Sequence, residues 1–184
     1  MTQHIEEYRK MIKRLAAGKV DARIPNGQPQ HASILMETMF ENATAELRIF
    51  TRDLNDLVFG GDEILKSALT FFSKPYSSLK ILLQNNKNDD WTNQHSLLKE
   101  INRLNGSGCL HGSVEIKNAV GSYAKDDANH FAVMDNDAFR YETNHDDCKA
   151  IANFYEPKIA KKLIHVFDSA FSLAKEPILL IKAS

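Results

Sequence analysis

Three short apolar runs, LRIF (47–50), SLKILLQN (78–85) and GSVEIKN (112–118), are separated by stretches with helical spacing. This alternation constrains the fold more than any other feature of the chain. Runs of four to eight apolar or alternating residues fit strands, and the strand–helix–strand order implies crossover connections in a layered α/β domain. The intervening helices are legible from their apolar stripes. Residues 29–45 carry Ala32, Leu35, Met36, Met39, Phe40 and Ala43 on one face, with Pro29 suited to a first turn. DEILKSALTFF (62–72) follows two glycines, with Asp62 as a candidate N-cap. TNQHSLLKEINRLNG (92–106) ends on Asn105-Gly106, a helix stop signal.

After the third run, ANHFAVMDNDAFRYETNH (128–145) reads as a hairpin around an Asp-Asn-Asp turn. A long helix then begins near Pro157, with Ile159, Leu163, Phe167, Ala170, Phe171 and Ala174 on one face. Pro177 stops it, and ILLIK forms an apolar tail. The expected fold is an α/β domain with a mixed, mostly parallel sheet flanked by helices. Ahead of it, residues 4–17 form an amphipathic helix with Ile5, Tyr8, Ile12 and Leu15 on its apolar face, and KVDARIPNGQPQ reads as a loop. The expected partition is residues 1–28 as an N-terminal helical arm and loop, and 29–184 as the α/β domain.

A chain of 184 residues with 43% hydrophobic content fits one domain with a sizeable core. Its 23 basic and 24 acidic residues leave a net charge of −1, so no overall field favours nucleic acid or membrane. The arm is locally basic, with Arg9, Lys10, Lys13, Arg14, Lys19 and Arg23. It is open to an anionic partner, or to simple packing with a solvated face. Two cysteines give no disulfide framework. No apolar signal core and no run of about 18 apolar residues is present, so a cytoplasmic chain without a membrane span is expected.

Seven histidines show no helical metal spacing, and there is no Gly-rich phosphate loop or nucleophile elbow, so no cofactor is expected. Open α/β sheets bind ligands beyond the carboxyl ends of their strands. TRDLND (51–56) and QNNKNDD (84–90) lie at such ends. Arg52 and Asp53 are candidates for anion recognition there, or form a surface pair. His130 shares a strand face with Ala128, Ala132 and Met134, and Arg140 and Glu142 alternate with Phe139 and Tyr141.

The order of elements, together with HFAVMDNDAFRYETN and NFYEPKIAKKLIHVFDSAF, resembles a single repeat of the phospholipase D superfamily over roughly residues 30–175. That family carries a His-x-Lys-x4-Asp signature. Counted from His130, Ala132 falls on the lysine and Asp137 on the aspartate. Aligned on the turn, which is the preferred register, Asp135 is the aspartate, Ala128 replaces the histidine and His130 replaces the lysine. Either way the lysine is missing. Thr143 then falls near the serine of the family's downstream Gly-Ser-x-Asn element, His145 near its asparagine, and Glu142 near its glycine.

In the family, one histidine attacks phosphorus, a second protonates the leaving group, and lysines stabilise the phosphoryl oxygens. A single repeat implies a homodimer for a complete site. The resemblance therefore implies a non-catalytic or weakly active, homodimeric binding module for an anionic ligand, either a phosphodiester (nucleic acid included) or a protein partner. The ligand-binding candidates are Arg52, Asp53, Arg140, Glu142, Thr143 and His145. A divergent dimeric nuclease or phosphodiesterase, with His130 and Asp135 as catalytic residues, is the competing expectation. A third is a structural interaction protein acting through the N-terminal helix.

Overall fold

The computed structural model describes residues 2–85, 87–125, 130–144 and 149–183. The chain opens with helix α1 (Thr2–Ala17), a three-residue strand β1 (Ile24–Asn26) and helix α2 (Pro29–Asn42). Strand β2 (Glu46–Thr51) leads through a single-turn helix α3 (Asp56–Phe59) into helix α4 (Asp62–Phe72) and strand β3 (Ser78–Leu83). A second single-turn helix α5 (Asp89–Thr92) and helix α6 (Ser96–Gly106) precede strand β4 (Ser113–Asn118). Strands β5 (Phe131–Met134), β6 (Ala138–Asn144) and β7 (Lys149–Asn153) follow, then helix α7 (Pro157–Leu173) and strand β8 (Pro177–Ile181).

All eight strands join one sheet in the order β1-β7-β6-β5-β2-β3-β4-β8. The α/β character and the flanking helices are as the sequence predicts, but the sheet is not mostly parallel. Among the described residues only β2–β3 and β3–β4 pair in parallel, while five pairings are antiparallel. The reason is connection length. Parallel pairing needs a crossover, and α4 and α6 supply the two that exist. The Asp135–Asp137 turn is too short for anything but a hairpin. Two segments read as loop and tail are strands as well: β1 pairs with β7, and β8 closes the far edge against β4. Asp62 opens the first turn of α4, and Gly61 occupies the N-cap.

Central strand β5 is buried on both faces. One face packs under α1, α2, α4 and α6 through Phe40, Phe71, Phe72, Leu35, Ile49 and Ile81. The other packs under α7 through Phe50, Phe131, Val133, Phe167 and Phe171. Residues 1–28 contribute to the first core, since Tyr8, Ile12, Ala16 and Ile24 are buried in it. Glu37 of α2 is 2% exposed and is paired by Arg9 and Lys13 of α1, the latter at 3.1 Å. Lys19 reaches Asp137 in the β5–β6 turn at 2.8 Å.

The entry to β4 has no room for a side chain. A Cβ on Gly112 would lie 2.2 Å from Ser77 Oγ and 2.8 Å from Ser77 O, while its N–H donates to Phe72 O at 3.2 Å. Gly112→Ala is expected to lower the unfolding free energy by about 1–3 kcal/mol through overpacking. Urea denaturation checks this, and an unchanged midpoint would show that the turn has slack.

Candidate functional site

β2 and β3 run parallel, β5 runs against β2, and β6 against β5. The ends of β2 and β3, the start of β5 and the end of β6 therefore share one edge of the sheet. Phe50 pairs with Phe131, so His130 stands beside Thr51, and Glu142 N–H donates to His130 O at 2.8 Å. Strand alternation puts His130, Arg140 and Glu142 on the face covered by α2.

These side chains form a chain of hydrogen bonds in a buried place. His130 is 3% exposed and Arg140 7%. His130 Nδ1 lies 3.2 Å from Glu142 Oε2. Its Nε2 faces the side-chain carbonyl of Gln84. The Gln84 orientation follows from its amide nitrogen, which donates to Lys125 O at 2.7 Å and Tyr123 O at 3.4 Å. Each ring nitrogen of His130 thus faces an oxygen of a neighbouring side chain. Arg140 Nη1 donates to Glu142 Oε1 at 2.8 Å, and Nη2 to Asn26 Oδ1 at 3.4 Å. Phe50 meets the His130 ring edge-on at 6.4 Å. The space beside this cluster is about 50 Å³, lined by His130, Arg140, Glu142, Thr51, Asp53 and Asn55. It is room for a water or two, not for a nucleotide.

Asp53 lines this space, but its carboxylate is engaged by Asn85 Nδ2 at 2.8 Å and Lys87 Nζ at 2.7 Å. Arg52 is half-buried and stands outside the lining residues. Thr143 is exposed and its hydroxyl donates to Lys149 O at 3.2 Å. His145 lies outside the described residues.

Asp135 is not near His130. It closes the opposite end of β5, roughly 15 Å away by strand rise. Its carboxylate accepts from the backbone N–H groups of Thr44, Ala45 and Glu46 and from the Thr44 hydroxyl, all at 2.9 Å. Burial alone would push its pKa up, but these donors outweigh burial and hold the carboxyl below its ordinary value. The structure thus gathers His130, Arg140, Glu142 and Asp53, and leaves Asp135, Arg52 and Thr143 apart.

Two members of the cluster escape sequence reading. Gln84 had a signal, as the first polar residue after an apolar strand at the expected ligand edge. Asn26 had none, because β1 has three residues and lies among loop signals. Among the described residues no group of three or more histidine, cysteine, aspartate or glutamate side chains is placed to hold a metal ion. None of the described helices is long and apolar enough to cross a membrane.

A family model described as a domain of unknown function, DUF7931, matches residues 28–179. The chain belongs to the DUF7931 family. Among curated protein sequences none matches it. Solved structures place the DUF7931 domain in a known architecture. Nuc from Salmonella typhimurium, a phospholipase D family member, aligns over 89% of this chain and 100% of its own, with 11% identity and a TM-score of 0.55. NucT from Helicobacter pylori aligns over 84% of this chain and 97% of its own, with 7% identity and a TM-score of 0.51. TrmBL2, an archaeal chromatin protein whose structure shows a novel mode of DNA binding, aligns over 95% of this chain at 13% identity and a TM-score of 0.55. This chain spans 61% of the TrmBL2 chain. The DUF7931 domain has a phospholipase D-like fold.

Proposed function

We propose that this chain is a non-hydrolytic, phospholipase D-like domain that acts as a homodimeric binding module for a phosphodiester backbone. One observation carries the reading: His130 is buried, with an acceptor oxygen against each ring nitrogen. A nucleophilic imidazole needs a lone pair directed at phosphorus, and this ring directs both nitrogens into the protein. The placement of Asp135 in the turn after β5 supports the register in which His130 stands on the family's lysine position. In that register neither the family's histidine nor its lysine is retained.

A cation at the same edge, Arg52, supports anion recognition without chemistry. The fold is also one that aligns with a DNA-binding chromatin protein. The N-terminal helix is a weaker candidate for a partner site, since its apolar face is used inside the domain by Tyr8 and Ile12.

The test joins catalysis, binding and assembly. Wild type and His130→Ala are incubated with a chromogenic phosphodiester and with single- and double-stranded DNA and RNA. The expected result is no release above blank by either protein. Fluorescence anisotropy of labelled nucleic acid should show binding that weakens steeply with salt, by a slope that reports the phosphates contacted. Sedimentation should give a dimer. Turnover by wild type that disappears in His130→Ala would instead establish a divergent nuclease. Absence of nucleic-acid binding at low salt would rule out the phosphodiester ligand and leave a protein partner.

A further inference from the structure

The sheet face beneath α7 is only partly roofed. Alternation along β6 separates it from the His130 cluster: Arg140 and Glu142 point to one side, Phe139 and Tyr141 to the other. Beside the first turns of α7 lies a groove of about 570 Å³. Its floor is made by Phe139 and Tyr141 of β6, Ile151 of β7, and Ile159 and Leu163 of α7. Tyr141, Ile151 and Ile159 remain half-buried, so this apolar surface is still open to water.

Two exposed cations stand at the mouth, Arg23 from the segment before β1 and Lys162 from α7. Neither makes an ion pair among the described residues. The two acids of the rim keep their charge but are turned to Asn153, whose Nδ2 donates to Asp21 Oδ1 at 2.8 Å and to Glu156 Oε2 at 3.3 Å. The groove therefore offers an apolar floor and two cations without an ion-pair partner among the described residues.

We propose that this groove binds a small amphipathic anion, an aromatic or aliphatic body carrying one carboxylate or sulfonate. The volume is that of small-molecule sites, which are mostly apolar with a few placed polar groups. The floor takes the body, and Arg23 and Lys162 take the charge. The site is separate from the His130 cluster and does not depend on the role proposed for it.

Anilinonaphthalene sulfonate, an aromatic body with one sulfonate, is the probe. Titration of the full chain is expected to give saturable fluorescence with one site per chain, under conditions where thermal unfolding remains cooperative. Ile151→Trp, which fills the floor, should abolish the signal. Arg23→Glu with Lys162→Glu should weaken the probe about tenfold, while leaving binding of the neutral analogue phenylnaphthylamine unchanged. Three outcomes overturn the proposal: no saturable binding, binding insensitive to Ile151→Trp, or equal loss of the neutral probe on charge reversal. A chain that dimerises through this face, so that Ile151→Trp yields a monomer, overturns it as well.

Discussion

Glu142→Ala should be among the most destabilising single substitutions in this domain, at about 3–5 kcal/mol. The Glu142 carboxylate accepts from Arg140 at 2.8 Å and lies 3.2 Å from His130 Nδ1, and both neighbours are buried. Among the described residues, its removal leaves the Arg140 guanidinium with a 3.4 Å contact to Asn26 on its other arm. A buried charge deprived of its partner costs far more than the pair contributes when intact. For a chain of 184 residues the melting temperature should fall by roughly 10 °C.

Replacing both members of the pair, Arg140→Met with Glu142→Leu, should recover much of the loss, because an apolar pair of similar volume needs no partner. Urea denaturation of the single and double variants decides the matter. A single variant within about 0.5 kcal/mol of wild type would mean that water reaches the guanidinium and the cluster is not closed. The same loosening should free a ring nitrogen of His130, so Glu142→Ala is also the variant in which to look for phosphodiester turnover.

Asp135→Asn should cost about 2–3 kcal/mol near neutral pH and flatten the acid limb of the stability profile. The residue sits at φ 50°, a left-handed conformation that asparagine tolerates, so the substitution tests the carboxylate and not the backbone. Three N–H groups at the start of β2 and one hydroxyl donate to its two oxygens. An amide offers one oxygen and turns an N–H₂ toward the remaining donors.

The sign of the pH effect follows from the lowered pKa. The unfolded chain binds this proton more readily than the folded one, so stability rises with pH across the interval between the two values. The contribution is complete above the ordinary aspartate value of about 3.9 and fades as the pH falls through the lower folded value. Wild type should therefore lose stability faster than Asp135→Asn below about pH 4. Parallel curves would show that Asp135 is not the group that anchors β2 to the hairpin.

Asp135 also shows how far residue type can mislead. From the sequence it was a candidate for catalysis, because the family resemblance puts an aspartate in that turn. In the fold it ties the β5–β6 turn to the start of β2, and the distance to His130 is set by the length of β5. His130 and Glu142 are a converse case. They are twelve positions apart with a turn between them, and only the antiparallel register brings the carboxylate to the ring.

The sequence by itself determined the elements that carry strong periodicity: the helices near 4–17, 29–45, 62–72 and after Pro157, the apolar strands, and the hairpin around Asp135. These follow from local rules, since apolar spacing and turn residues act over a few positions. It also placed the loops after β2 and β3 at one end of the sheet, because parallel neighbouring strands end together. The tertiary structure alone decided that β1, β7 and β8 complete the sheet, since strands of three to five residues gain their stability from pairing partners far along the chain. It alone decided that Gln84 and Asn26 enter the His130–Glu142–Arg140 cluster. Hydrogen bonds between residues 46 and 114 positions apart depend on how strands lie side by side, which no local pattern records.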